Sequence, residues 1–158
     1  MSDRNQRRSF LTWLAAAPAA LAARRGSADG PPAGDLFDDP EHKLVYQFNK
    51  SDPDYMEHVL YSVGVMLRQH TDNIHLIVTA FGPGIHILAR TPRRPVPELI
   101  RQRVHSLAAY GVVFHACGET LKSLDWTGKD LVEFAQVVES GADDLMQLQE
   151  KGYSYISW

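Results

Sequence analysis

Residues 74–84 read IHLIVTAFGPG, and this stretch determines the fold that we predict. Its first seven residues are apolar apart from His75 and Thr79, a composition typical of a central strand in a parallel sheet that is covered on both faces. The turn Gly82-Pro83-Gly84 then ends the strand. Because such a strand needs helices on both sides of its sheet, we expect an α/β protein.

The segments on either side of this strand alternate between strand and helix patterns. Residues 43–48 form a β-branched and aromatic run, and residues 112–116 form a second buried apolar run. In the first half of the domain we predict a strand at 43–48, a helix at 53–69 capped by Ser51 and Asp54, a strand at 74–80 and a short apolar piece at 85–89. A helix at 97–110, a strand at 112–116 and one or two helical turns at 119–124 follow. The last predicted elements are a short helix capped by Thr127 and Asp130, a strand at 134–138, a helix from a capping box at Ser140 and Asp143 to Lys151, and a strand at 153–158. This alternation predicts a three-layer α/β/α sandwich with a mostly parallel sheet.

Unusual residues follow two of the predicted strands. Ligands of parallel sheets collect at the carboxyl ends of the strands, and here these ends carry the Gly82-Pro83-Gly84 turn and the pair Cys117-Gly118. Cys117 lies where a strand gives way to a helix start, so backbone N–H groups and the helix dipole favour its thiolate. The Glu119 carboxylate acts in the opposite direction, because a nearby negative charge raises a thiol pKa. The alternative is that Cys117 is a buried cysteine that only fills space.

His115 lies two residues before Cys117, on the same side of an extended strand. It is either a base, half of a metal chelate or an ordinary strand residue. Because the chain has one cysteine and its other histidines lack ligand spacing, we predict no metal site. The turn at Gly82 and Gly84 either lets a ligand or a neighbouring subunit approach the backbone, or is a tight strand exit. It lacks the lysine and hydroxyl residue of a phosphate-binding loop, and we predict no bound cofactor.

The first part of the chain has the features of an export signal. Residues 1–8 carry Arg4, Arg7 and Arg8, and residues 10–23 form a run of 14 uncharged residues. This run is shorter than the roughly 20 residues that span a bilayer, which favours a cleaved leader over a permanent anchor. The run from Arg7 to Leu11 resembles the twin-arginine signal. We expect a leader over 1–28, a linker over 29–42 and one domain over 43–158, in a periplasmic protein without stable membrane insertion after cleavage.

Length and charge narrow the function classes. The 158 residues leave room for one domain once the N-terminal segment is set aside. Sixteen basic against 19 acidic residues give a formal net charge of −3, which provides no positive field to hold nucleic acid. The single cysteine cannot form an intrachain disulfide, so we expect a domain that is stable through its core.

Four segments, in matching order and spacing, resemble the DsrE/DsrF-like sulfur-relay family. They are AFGPG at 80–84, FHACGETL at 114–121, VVESG at 137–141 and LQEKGYSYI at 148–156. The resemblance spans about residues 43–158. It implies a flavodoxin-like α/β/α sandwich that assembles as a trimer or hexamer, and several members of this family pass sulfane sulfur through a cysteine persulfide.

The resemblance also implies roles for particular positions. Cys117 matches the family's active-site cysteine, and Glu119 stands where the family pattern leads us to expect Asn. Around Cys117 we predict a ligand-binding set that comprises Gly82, Gly84, His115, Gly118, Glu119 and Thr120.

Two hypotheses for function follow. In the first, Cys117 accepts sulfane sulfur from a donor and yields it to an acceptor thiolate or a sulfur-oxidation partner. In the second, the protein is a non-catalytic oligomeric module that binds a small ligand or a partner protein at the strand ends, with Cys117 buried.

Overall fold

The computed structural model describes residues 40–158, which form a five-stranded parallel sheet with helices on both faces. The strands are β1 (His42–Phe48), β2 (Ile74–Ala80), β3 (Val113–Cys117), β4 (Ala135–Val138) and β5 (Ser154–Ile156), and the helices are α1 (Pro53–His70), α2 (Glu98–Ala109), α3 (Gly118–Ser123) and α4 (Gly141–Glu150). Short 3-10 helices occupy Thr71–Asn73, Gly82–Leu88 and Gly128–Asp130. The predicted leader, 1–28, and most of the predicted linker, 29–42, lie outside the described residues.

The strand order is β4-β3-β2-β1-β5, which determines the face on which each helix lies. From β1 to β4 the chain moves across the sheet in one direction, and it then returns to place β5 on the far side of β1. Because crossovers between parallel strands are right-handed, α1, α2 and α3 lie on one face and α4 lies on the other. This confirms the predicted α/β class and the parallel sheet.

The two faces of the sheet have apolar cores of different size. On the α1 and α2 side, Tyr46, Phe48 and Phe114 are fully buried within the larger cluster. On the α4 side, the described residues form a smaller cluster with four buried members, which are Val45, Ile77, Leu145 and Leu148. Alternate residues of β1 therefore enter different cores, which explains why this strand and β2 are apolar along most of their length.

The predicted N-cap residue is correct at Gly128–Asp130 and at α4, and it is wrong at α1. Thr127 and Asp130 form the expected capping box at Gly128–Asp130. At α1 the N-cap is Asp52 rather than Ser51, because Pro53 takes the first helical position and the residue before it must cap. At α4, Ser140 is the N-cap but makes no side-chain capping bond.

Among residues 40–158, none of the helices has the length and hydropathy that a bilayer crossing requires.

Candidate functional site

Cys117 is both the last residue of β3 and the N-cap of α3. Its backbone is extended, with φ −68° and ψ 117°, so its side chain turns back over the first turn of α3. There Sγ accepts a hydrogen bond from the backbone N–H of Thr120 at 3.4 Å. A cysteine therefore occupies the place that Ser, Thr or Asp takes at most helix starts, with a sulfur atom as the capping acceptor.

A second helix also begins at this sulfur, from the opposite face of the sheet. The backbone N–H of Gly141, the first residue of α4, donates to Cys117 Sγ. A Cβ atom at Gly141 would lie 3.2 Å from Cys117 Cβ and 3.0 Å from Cδ1 of Phe81. Because glycine has no Cβ, the first turn of α4 approaches the cysteine closely enough for this contact.

The glycine turn after β2 reaches the sulfur through the hydroxyl group of Thr120. The backbone N–H of Gly82 donates to Thr120 Oγ1 at 2.9 Å, and the Thr120 hydroxyl donates to Cys117 Sγ. Gly82 has φ +50°, a left-handed conformation that glycine adopts without strain. The predicted residues Gly82, Thr120 and Cys117 therefore form one connected network.

Gly84 holds this turn against the end of β1. A Cβ atom at Gly84 would lie 2.3 Å from the backbone oxygen of Phe48, a distance that no side chain tolerates. Gly84 therefore supports the site through backbone packing. The described structure shows no contact between Gly84 and the sulfur.

The hydrogen bonds around the sulfur shift the pKa of the Cys117 thiol. Burial raises the pKa of the Cys117 thiol, but the Thr120 hydroxyl and the backbone N–H groups of Gly141, Thr120 and Glu119 lower it. The four donors together outweigh burial, and the pKa lies below its ordinary value. The site therefore favours the thiolate form of Cys117 more than an ordinary environment does.

The backbone N–H of Glu119 donates to the backbone oxygen of Glu139 at 3.2 Å, and it also helps to lower the pKa of Cys117. The exposed Glu119 carboxylate lies 2.6 Å from Nζ of Lys122, one helical turn further along the chain. The carboxylate does not prevent the lowered pKa of Cys117, so of the two opposing influences that the sequence left open, the one that favours the thiolate is the stronger. Gly118 occupies a narrow space, because a Cβ there would lie 2.9 Å from the backbone oxygen of Val138.

His115 lies on the α4 side of β3 and is bound to a carboxylate. Its Nδ1 lies 2.8 Å from Oδ2 of Asp144, and Thr79 Oγ1 donates to the same oxygen at 2.8 Å. Within residues 40–158, no three His, Cys, Asp or Glu side chains are placed to hold a metal ion together. The structure thus shows His115 in a hydrogen bond with Asp144, a contact that was not among the roles predicted for it.

Sequence reasoning missed two residues of this site, Gly141 and Asp144. Both lie in the first turn of α4, which follows the end of β4 at the same sheet edge as Cys117. One signal was available for Asp144. Thr79 is a polar residue inside an apolar central strand, and a buried hydroxyl of this kind needs a partner.

Comparison with known proteins gives a family match and several structures of the same fold. The profile of the DsrE/DsrF-like family matches residues 40–158. No curated protein shows significant similarity to the chain.

Three solved structures are similar to this chain. A protein of unknown function from Methanobacterium thermoautotrophicum has a TM-score of 0.67 and 24% identity, and the match covers 75% of this chain and 100% of that one. The ychN protein of E. coli has a TM-score of 0.58 and 13% identity, and the match covers 76% of this chain and 100% of that one. A conserved protein of unknown function from Bacteroides thetaiotaomicron has a TM-score of 0.54 and 13% identity, and the match covers 73% of this chain and 94% of that one. At these identities the similarities show the fold alone.

Proposed function

This chain belongs to the DsrE/DsrF-like family, and on that premise we propose that Cys117 accepts a sulfane sulfur atom and passes it on as a persulfide. Family membership supports a role of the sulfur-relay kind. The observation that carries the proposal is the place of Cys117 Sγ at the start of α3, where the Thr120 N–H donates to it at 3.4 Å and the surrounding donors lower the pKa of the thiol. A thiolate is the form of cysteine that attacks sulfur.

The proposed transfer consists of two exchange steps. The Cys117 thiolate attacks the outer sulfur of a persulfide or polysulfide donor, so that a new S–S bond forms and the donor's S–S bond breaks. The electron pair of the broken bond leaves on the donor thiolate. An acceptor thiolate then attacks the outer sulfur of the Cys117 persulfide. The S–S bond to Cys117 breaks, and Cys117 leaves as a thiolate. The steps balance without an oxidant or reductant, and the same donors stabilise Cys117 as nucleophile and as leaving group.

Export and assembly are further parts of the proposal. The paired Arg7 and Arg8 before an uncharged run support export by the twin-arginine route to the periplasm. We expect the double substitution Arg7→Lys and Arg8→Lys to keep the protein in the cytoplasmic fraction. Export of this variant at the wild-type level would contradict that route.

A homo-oligomer, trimer or hexamer, is supported by large apolar side chains that are more than half exposed in the single chain. These are Tyr61, Leu99, Tyr110, Val137, Met146 and Trp158. Sedimentation equilibrium measures the assembled mass. A monomer at micromolar concentration would contradict this part of the proposal.

The second candidate is a non-catalytic oligomeric binding module. The low exposure of Cys117, 5% in the single chain, favours it. This second candidate predicts slow alkylation of the native thiol. An activated thiolate would instead react at a pH well below about 8.5, the ordinary pKa of a cysteine thiol.

A persulfide trap tests the sulfur-transfer proposal. The folded protein is treated with excess inorganic polysulfide, freed of the reagent and measured by intact-mass spectrometry. Because the chain has one cysteine, a thiol-reducible gain of one sulfur atom assigns the persulfide to Cys117. We expect this gain in the wild type, its loss on addition of an acceptor thiol, and none in Cys117→Ser. Absence of added sulfur in the wild type, with retained biological activity of Cys117→Ser, would refute the proposal.

A further inference from the structure

The Asp144 carboxylate connects α4 to two strands of the sheet. Its Oδ2 accepts a hydrogen bond from Thr79 Oγ1 on β2 and lies 2.8 Å from Nδ1 of His115 on β3, each contact being of the same length. Thr79 and His115 are direct neighbours in the sheet register. One carboxylate oxygen therefore bridges adjacent strands beneath the start of α4.

These contacts are shielded from water. Thr79 is fully buried, and the side chains of His115 and Asp144 are each 12% exposed. Because an ionised carboxylate only accepts hydrogen bonds, His115 carries a proton on Nδ1. A shielded, charge-assisted contact of this kind holds its partners more strongly than a solvent-exposed pair does.

Asp144 lies three residues after Gly141, within the same helical turn. Residues at this spacing share one helix face, so the face that meets Thr79 and His115 also meets Cys117. The N–H of Gly141 donates to Cys117 Sγ, and Gly141 has no room for a Cβ against Cys117 and Phe81. A small shift of the first turn of α4 would therefore remove a donor from the sulfur.

We infer that Asp144 is a positioning residue, whose bonds to Thr79 and His115 hold the start of α4 so that Gly141 donates to Cys117. Only its consequence for sulfur transfer rests on the proposed function. The geometric effect on the sulfur is independent of the identity of any donor or acceptor.

The pH profile of Cys117 alkylation tests this role, because the two effects of the Asp144 carboxylate have opposite signs. A negative charge can only disfavour a thiolate, so loss of the Asp144 charge alone would not slow alkylation at low pH. As a positioning group the carboxylate favours the thiolate. We expect Asp144→Ala to move the profile to higher pH and to slow alkylation at pH 7 by about threefold to tenfold, which corresponds to roughly half to one pKa unit.

Asp143→Ala is the matched control. Asp143 also lies in the first turn of α4 and is exposed, and its carboxylate accepts from Gln147 on the next turn. We expect its alkylation profile to stay at the wild-type position or to move slightly to lower pH.

Two milder variants keep the test decisive if Asp144→Ala does not fold. Thr79→Val removes one of the two bonds with little change of shape, and Asp144→Asn keeps one acceptor oxygen. Both should move the profile in the same direction as Asp144→Ala, by less. A profile that is unchanged or moves to lower pH in these variants would overturn the inference. Failure of the wild type to take up sulfur would refute only the proposed function, because alkylation requires no sulfur donor.

Discussion

At the level of single residues, the Thr120 hydroxyl is both an acceptor and a donor. It accepts from the Gly82 N–H at 2.9 Å, and it donates to Cys117 Sγ. Hydrogen bonds in such a chain polarise one another, so the Gly82 dipole strengthens the bond to sulfur. Among the contacts that lower the pKa of Cys117, the hydrogen bond from the Thr120 hydroxyl has the largest effect.

Thr120→Val should therefore raise the pKa of the Cys117 thiol while it keeps the shape of the side chain. We expect iodoacetamide alkylation at pH 7 to slow by about threefold to tenfold, for a rise of roughly half to one pKa unit. Thr120→Ser retains the hydroxyl and is the matched control. Identical pH profiles for the Val and Ser variants would show that the hydroxyl does not set the state of the sulfur.

The local part of this site was predictable from sequence. Cys117 and Thr120 lie three positions apart at a strand-to-helix junction, so their contact follows from local geometry. Gly82 joined them because adjacent parallel strands end at the same edge. Gly141 and Asp144 were not predictable in this way, because their place depends on α4 crossing to the other face of the sheet. No local pattern encodes that crossing.

At the level of elements, the first turn of α4 combines a helix start with a close approach to β3. A Cβ at Gly141 would lie 3.1 Å from Phe81 Cβ and 3.2 Å from Cys117 Cβ. Both atoms are close to the backbone and have little freedom to move. Helix propensity favours alanine at such a position, whereas packing opposes it.

Gly141→Ala should accordingly destabilise the protein, by about 1–3 kcal/mol for an overpacked position, and slow the alkylation of Cys117 as α4 moves away. Chemical denaturation and the alkylation rate measure the two effects. The control is Gly64→Ala in α1, where the added Cβ meets mainly the flexible end of Arg68 at 3.4 Å. There we expect unchanged alkylation and a gain of up to about 1 kcal/mol. A stabilised Gly141→Ala protein with normal alkylation would contradict this assignment.

The elements themselves were predicted within one or two residues where an apolar pattern was long. The prediction of 74–80 matches β2, and 53–69 differs from α1 by one residue at its C-terminal end. The capping residue was less predictable, because Ser51 and Asp52 both have suitable side chains. The position of Pro53 selects Asp52, since a proline at the first helical position makes the preceding residue the cap.

At the level of the whole molecule, the segment between β2 and α2 links the sulfur site to the larger core. The 3-10 helix Gly82–Leu88 begins with the turn that contacts Thr120 and continues into buried residues. Among these is His86, which is 2% exposed and packs edge-on against Trp126 at 5.0 Å between ring centroids. Its Nδ1 accepts the backbone N–H of Arg93 at 3.2 Å, which requires an unprotonated nitrogen.

His86 should make the stability of the whole domain depend on pH. Burial lowers the pKa of His86 below 6.5, and the charges of Arg94 and Arg93 lower it further. Because the folded protein binds this proton less readily than the unfolded chain, its contribution to stability is complete above about pH 6.5 and is lost as the pH falls toward the lowered pKa. One proton bounds the slope at about 1.4 kcal/mol per pH unit. His86→Asn keeps an acceptor near the position of Nδ1 but cannot take up the proton. We expect its unfolding free energy to fall less than that of the wild type between pH 7.5 and 5. The control His58→Asn, at an exposed site, should show the full wild-type fall. An equal fall in both variants, measured by urea denaturation, would show that the buried imidazole does not govern the acid sensitivity of the fold.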